Sequence, residues 1–198
     1  MILSDREIRA ALDRESVKIA PDPRLDASVW SSTAIDLHLD DELAYWESPS
    51  VGGVSISVQP SDKNYNYAEL VEQWSRPIKI ADEGFPMKPH AFLLGWTIEK
   101  VQLPHRSRIA ARVEGKSSLA RLGLGVHVTA PTVHAGFGYK PSNKTFLGSP
   151  IQLEIWNFGP LTINLKKGMR ICQLIFEEVH GTPEKGYGGQ FSMQGPTI

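Results

Sequence analysis

The stretch IQLEIW at residues 151–156 alternates aliphatic with polar or aromatic side chains. A period of two is typical of a β-strand that buries one face, so Glu154 shares the opposite face with Gln152 and Trp156. Other short, apolar-rich stretches predict further strands at residues 35–39, 91–98, 108–113, 125–129, 161–165 and 171–176. Many short strands with turn residues between them predict an all-β barrel or sandwich rather than βαβ units.

Two short helices interrupt this pattern. Residues 4–7 read SDRE, which fits a capping box, and they predict an N-terminal helix over residues 4–13. Residues 114–124 read EGKSSLARLGL, with hydroxyls near the start and Gly123 past the end, and predict a one- or two-turn helix at about 117–122. Residues 47–89 mix Pro, Gly, Ser and Asn with hydrophobic residues and are interpreted as short strands and loops.

Composition excludes several classes of protein. The 198 residues carry 21 Lys and Arg against 22 Asp and Glu, so the basic surplus expected of a nucleic-acid or acidic-membrane partner is missing. The length and a 41% hydrophobic content favour a single domain over residues 1–198, and no apolar run approaches a membrane span. With Cys172 as its one cysteine, the chain is expected to be cytoplasmic, without an intrachain disulfide or a Cys-rich zinc site.

The helix at 117–122 has the parts of an anion site. Ser117 and Arg121 are four residues apart and share a face, while Lys116 lies at the helix start beside free backbone N–H groups. These donors suit a phosphate. The alternative is an ordinary helix capped by Ser117 or Ser118, with Arg121 in a surface ion pair, and spacing alone favours that alternative.

A family resemblance changes this balance. Residues 114–124 closely resemble the phosphate-binding motif of dCTP deaminases, a branch of the trimeric dUTPase superfamily. Companion matches follow in order along the chain, although residues 40–90 contribute little. They lie at residues 3–9, 32–39, 126–130, 153–157, 168–171 and 194–197. An eleven-residue motif with ordered companions is a far more specific signal than an isolated glycine pattern.

The resemblance implies a distorted β-barrel or jelly roll and a homotrimer with active sites at subunit interfaces. It assigns the triphosphate of dCTP, with Mg²⁺ carried on its oxygens, to four residues. These are Lys116, Ser117, Ser118 and Arg121. Glu154 would be the catalytic residue, which moves protons between the attacking water and the departing ammonia. Without the resemblance, a solvent-facing strand glutamate would be the preferred interpretation. Zinc deaminases use a Cys-x-x-Cys pattern, which one cysteine cannot supply.

Further assignments also come from the resemblance. The backbone carbonyl of Ala130 would hold the water, and backbone groups near Gln152 would read the edge of the base. A C-terminal lid over about residues 183–198 would close on the triphosphate through Lys185, Tyr187 and Gln190. The alternative for this segment is a frayed terminus.

The sequence departs from the family pattern at two places. His134 stands where the family has an Asp that contacts the deoxyribose 3′-hydroxyl, and residues 138–150 replace a tight turn. An imidazole can hydrogen-bond a hydroxyl, but it lacks the charge of a carboxylate. The insertion is expected to border the pocket, so either it reshapes substrate choice or this branch has drifted from the parent activity.

The first hypothesis is therefore a dCTP deaminase that releases ammonia and dUTP. A bifunctional enzyme that forms dUMP and pyrophosphate is an alternative, and dUTPase activity alone is a lesser one. A non-catalytic nucleotide-binding regulator is the alternative from another class, favoured by His134 and the insertion. The presence of Glu154 argues for catalysis.

Overall fold

A computed structural model of the chain describes residues 1–47, 57–127, 129–143 and 145–187. Within these ranges, three α-helices accompany eleven strands. The helices are α1 (Asp5–Asp13), α2 (Tyr67–Trp74) and α3 (Ser117–Ala120). The strands are β1 (Lys18–Ala20), β2 (Ala34–Trp46), β3 (Ser75–Lys79), β4 (Phe85–Met87), β5 (Phe92–Gln102), β6 (Ile109–Gly115), β7 (Leu124–Val126), β8 (Thr132–Val133), β9 (Ser149–Asn157), β10 (Ile163–Leu165) and β11 (Arg170–Glu178).

Nine of these strands form one antiparallel sheet. Its order is β7-β9-β5-β2-β11-β6-β8, with β1 paired to β5 and β3 paired to β2, while β10 and β4 form a separate pair. Register shifts interrupt the pairing of β2 with β5, β5 with β9 and β11 with β2. Such irregularities increase the local twist, and the sheet curls into a half-barrel. The prediction of an all-β fold with a few short helices is confirmed.

The main core fills one face of this curled sheet. Leu43, Leu93 and Leu153 are each at most 3% exposed there. Helix α1 covers part of the core with Ile8, and its N-cap is Ser4, whose Oγ accepts a hydrogen bond from the Glu7 N–H at 3.4 Å. The predicted capped N-terminal helix is therefore present.

The opposite face of the same strands carries a second, smaller apolar cluster. It contains Ala44, Leu94 and Trp96, with Trp46 and Phe92 packed against it. Because side chains alternate along a strand, this is also the face of Glu154, which pairs in register with Leu94. A carboxylate is thus placed beside an apolar cluster.

Two expectations need correction. The region interpreted as short strands and loops contains helix α2, capped by Asn66, whose Oδ1 accepts from the Ala68 N–H at 3.0 Å and whose Nδ2 donates to Glu69 at 2.8 Å. The strand expected to be half-buried at residues 35–39 is more buried than that, since Asp36 is 6% exposed, whereas His38 on the same face is partly buried. In the described ranges, no helix is long and apolar enough to cross a bilayer.

Candidate functional site

The candidate site is a cavity of about 410 Å³ on the second face of the sheet. Strand β9 lies between β7 and β5, and its even-numbered residues from 150 to 156 are less buried than their neighbours. Glu154 therefore reaches the cavity with a side chain that is 28% exposed. The lining residues are Trp46, Tyr67, Phe92, Leu94, His127, Ala130, Thr132, Val133, His134, Phe137, Ile151, Gln152, Glu154 and Tyr187.

Burial governs the electrostatics of Glu154. Removal from water disfavours the charged carboxylate and raises the pKa of Glu154 above its ordinary value. Oε2 is buried and receives no hydrogen bond of good direction from the described residues. A carboxyl group in this state can take up and release a proton closer to neutral pH than a solvated glutamate can.

His127 is a polar neighbour of this carboxylate. The His127 Nε2 lies 3.2 Å from the Glu154 Oε2, and the His127 backbone N–H donates to the Glu154 carbonyl at 3.0 Å. The residue is 8% exposed, and burial lowers the pKa of His127 to about 4. The imidazole is therefore neutral at pH 7, and the contact is not a pair of opposite charges.

The structure brings several predicted residues together. Ala130, His134, Gln152 and Tyr187 line the same cavity as Glu154. The Tyr187 N–H donates to the Ala135 carbonyl at 3.0 Å, and the rings of Tyr187 and His134 lie 4.9 Å apart at 35°. The chain is thus docked at the cavity as far as Tyr187.

The predicted phosphate residues lie apart from this cavity in the single chain. Helix α3 is one turn long; Ser117, Ser118 and Arg121 are exposed and do not line the cavity. Lys116 is its N-cap residue and no side chain caps the helix, so the Ser-capped alternative is wrong. The Lys116 Nζ donates to Asp36 at 2.6 Å.

Of the lid residues, Lys185 is exposed and does not line the cavity. Gln190 lies outside the described residues.

Comparison with known proteins identifies the family. A family model described as dCTP deaminase-like matches residues 2–179. The chain belongs to the dCTP deaminase-like family. It is 34% identical to the "dCTP deaminase, dUMP-forming" of Methanosphaera stadtmanae, over 94% of this chain and 84% of that protein. It is also 34% identical to the "dCTP deaminase" of Rhodospirillum rubrum, over 94% of this chain and 87% of that protein.

A solved structure supports the fold of this dCTP deaminase-like chain. The crystal structure of a 2′-deoxycytidine 5′-triphosphate deaminase from Agrobacterium tumefaciens matches with a TM-score of 0.59 at 22% identity. The match covers 90% of this chain and 48% of that one, so the chain spans about half of the longer protein.

Sequence reasoning missed an aromatic wall of the dCTP deaminase-like site. Trp46, Tyr67 and Phe92 line the cavity, and the rings of Trp46 and Tyr67 meet edge to face at 6.2 Å. Burial, with the neighbouring charge of Glu154, raises the pKa of Tyr67. The spacing Asn66-x-x-Glu69, which matches a capping box, could have revealed the helix that carries Tyr67.

The insertion that was expected to border the pocket begins and ends next to the cavity. Gly138 and Gly148 approach the Val101 carbonyl so closely that a Cβ would lie 2.1 and 2.7 Å from it, and the Gln102 Nε2 donates to the Phe146 carbonyl at 2.6 Å. The described residues of 138–150 pack against the end of β5 and do not line the cavity. Their flanking residues Phe137 and Ile151 do.

Proposed function

We propose that the chain is a dCTP deaminase that converts dCTP and water into dUTP and ammonia and serves pyrimidine deoxynucleotide synthesis. The observation that carries the proposal is the carboxyl group of Glu154, whose pKa burial raises and which opens into a cavity with aromatic walls. Family membership supports the nucleotide substrate.

Hydrolytic deamination needs a group that can both accept and donate protons at cytosine C4. In the proposed reaction, the Glu154 carboxylate accepts a proton from water as the oxygen attacks C4, and passes it to N3 of the ring. A second proton moves from the C4 hydroxyl through the same carboxylate to the amino group. The C4–N bond then breaks, ammonia leaves and the C4 carbonyl forms.

Other groups of the cavity fit the substrate. The Ala130 carbonyl can accept a hydrogen bond from the attacking water, and backbone groups of residues 152–154 can read the edge of the base. The faces of Phe92 and Trp46 suit an aromatic ring. His134 can hydrogen-bond the sugar, and it stands where the family has an Asp.

The triphosphate needs cations, and the described part of the chain places none at the cavity. Among the described lining residues there is no Lys or Arg. We infer that Arg121, Ser117 and Ser118 of α3 from a second copy complete the site, as they would in a homotrimer with interface sites. Lys116 keeps further N–H donors beside its bond to Asp36.

Mg²⁺ would be held by the phosphate oxygens. The described residues contain no group of three or more His, Cys, Asp or Glu side chains that could hold a metal ion.

Light scattering of the purified protein would test the trimer, and a monomer that turns over dCTP would contradict the shared site.

A dUMP-forming enzyme is the second candidate, because the Methanosphaera stadtmanae relative carries that name at the same identity as the Rhodospirillum rubrum one. Incubation with dCTP and Mg²⁺ followed by chromatography distinguishes the products. We expect dUTP and ammonia, while dUMP with pyrophosphate would favour the second candidate. Turnover of dUTP but not of dCTP would indicate dUTPase activity alone.

The role of Glu154 is tested by Glu154→Gln, with Glu83→Gln in an exposed loop as the control. We expect Glu154→Gln to bind dCTP without releasing ammonia, and Glu83→Gln to remain active. Normal turnover by Glu154→Gln would refute the assignment. Binding of dCTP without turnover by the unaltered chain would favour the non-catalytic regulator.

A further inference from the structure

We propose that His127 is a positioning residue for Glu154, whose carboxylate it orients through the contact of Nε2 with Oε2 at 3.2 Å. This inference rests on the proposed deaminase function and assigns a role to a residue to which the sequence analysis gave none. His127 acts on the carboxylate rather than on the substrate.

The backbone brings the two side chains together. Strand β7 pairs with β9 in the register Val126 to Ile155, and the His127 N–H continues the pairing with the Glu154 carbonyl at 3.0 Å. His127 then adopts a φ of +54°, a left-handed conformation that is uncommon for residues other than glycine. The imidazole is held with Nε2 at 3.2 Å from Oε2.

The protonation state follows from the partners of the two ring nitrogens. Nδ1 is buried and has no hydrogen-bond partner among the described residues. A proton on Nδ1 would be a buried, unpaired donor, whereas a proton on Nε2 faces the carboxylate and leaves Nδ1 as a bare acceptor. Unpaired acceptors are tolerated better than unpaired donors, so the Nε2–H tautomer is favoured.

A neutral donor at this place suits a proton-transfer group. It stabilises the charged carboxylate and fixes its direction without adding a positive charge that would hold the proton away from it. In the free chain Oε2 receives no well-directed hydrogen bond from the residues that the structure describes, and catalytic contacts commonly tighten when substrate binds. The titratable side chains that line the cavity with Glu154 are His127, Tyr67, His134 and Tyr187.

A matched pair of variants isolates the Nε2–H donor. His127→Gln places an amide N–H near the position of Nε2, whereas His127→Asn carries the same amide one methylene short and suits a positive φ. We expect kcat for ammonia release to fall about tenfold in His127→Asn, with KM little changed, and to stay near the unaltered value in His127→Gln. The acid limb of the kcat profile should move to higher pH in His127→Asn, since its carboxylate loses a donor.

A second readout does not depend on activity. Infrared difference spectra of protein labelled with ¹³C-glutamate follow the Glu154 carboxyl, assigned by its loss in Glu154→Gln. We expect its titration to move to higher pH in His127→Asn and in His127→Leu, a second donor-free variant, but not in His127→Gln. A titration unchanged in the donor-free variants, or an equal kcat in His127→Asn and His127→Gln, would overturn the proposal. If the titration shifts as expected but dCTP is not turned over, the deaminase function is refuted, while the proposed interaction of His127 with Glu154 is retained.

Discussion

The Nζ of Lys116 lies 2.6 Å from Oδ1 of Asp36, although the two residues are 80 positions apart in the chain. Asp36 belongs to β2 and is 6% exposed, and it also accepts from the Gln173 Nε2 at 3.0 Å. Lys116 is the N-cap residue of α3. The predicted phosphate helix is therefore tied to the centre of the sheet by a largely buried ion pair.

Replacement of Asp36 should destabilise the fold. In Asp36→Ala the ammonium of Lys116 and the amide of Gln173 lose a shared buried acceptor, and we expect the free energy of unfolding to fall by about 3 kcal/mol. Urea denaturation measures the change. Glu47→Ala is the control, because Glu47 and Arg76 form an exposed pair that should contribute less than about 1 kcal/mol. Equal effects in the two variants would contradict the structural role of the buried pair.

Arg121 is expected to act on ligand affinity rather than on stability. Its side chain is exposed, and in Arg121→Ala a charge-assisted contact to a phosphate is lost, which should weaken dCTP binding at least tenfold. Calorimetric titration in a Glu154→Gln background avoids turnover. Arg14→Ala, at the exposed end of α1, is the control and should bind as before. An affinity unaffected by Arg121→Ala would remove α3 from the site.

The buried histidine should make stability depend on pH. Because burial lowers the pKa of His127 from 6.5 to about 4, the unfolded chain takes up the proton first as the pH falls. The contribution of neutral His127 to the free energy of unfolding is present above pH 6.5. It is lost as the pH falls toward 4, and the total loss is about 3 kcal/mol. Urea unfolding at several pH values should show a flatter profile in His127→Gln. An unchanged profile would mean that His127 does not titrate differently on unfolding.

Glu154 should give the opposite sign. Its pKa is raised in the folded protein by burial, so its contribution to stability is greatest at low pH and is lost as the pH rises through that raised value. We expect Glu154→Gln, which carries no charge, to unfold at higher urea concentration than the unaltered chain at pH 8 and to lose this advantage below pH 4. Equal urea midpoints of unfolding for Glu154→Gln and the unaltered chain at pH 8 would contradict the prediction that burial of the charged carboxylate destabilises the fold.

Local sequence patterns predicted the strand that carries Glu154 more readily than the side chains that surround Glu154 in the cavity. Alternation along residues 151–156 placed Glu154 and Gln152 on one face because strand geometry has a period of two. Composition did not predict the apolar side chains around Glu154, since Leu94 and Phe92 reach this face only through the register of β5 with β9. Such register is set by bulges and long-range packing.

The contact of His127 with Glu154 had no local signal. It depends on a left-handed backbone conformation that follows β7, and a histidine in a strand gives no indication of it. The burial of Asp36 likewise depends on Lys116, which lies far along the chain. Helix α2 is different, since the spacing of Asn66 and Glu69 was a usable signal that polar composition obscured.

Gly136 should control how the C-terminal segment docks at the cavity. It has a φ of +105°, and a Cβ there would lie 2.3 Å from the Tyr187 backbone nitrogen, so Gly136→Ala must displace Tyr187. Loss of its bond to Ala135 and of its ring contact with His134 should loosen the backbone around Lys185, whose side chain is already exposed, and we expect trypsin to cleave after Lys185 several-fold faster. Gly168→Ala is the control, since Gly168 has a φ of +76° and no atom of the described residues lies within 4 Å of the added Cβ. It also places a side chain at a positive φ, but without the clash, so equal cleavage in both variants would show that backbone strain rather than contact with Tyr187 governs the segment.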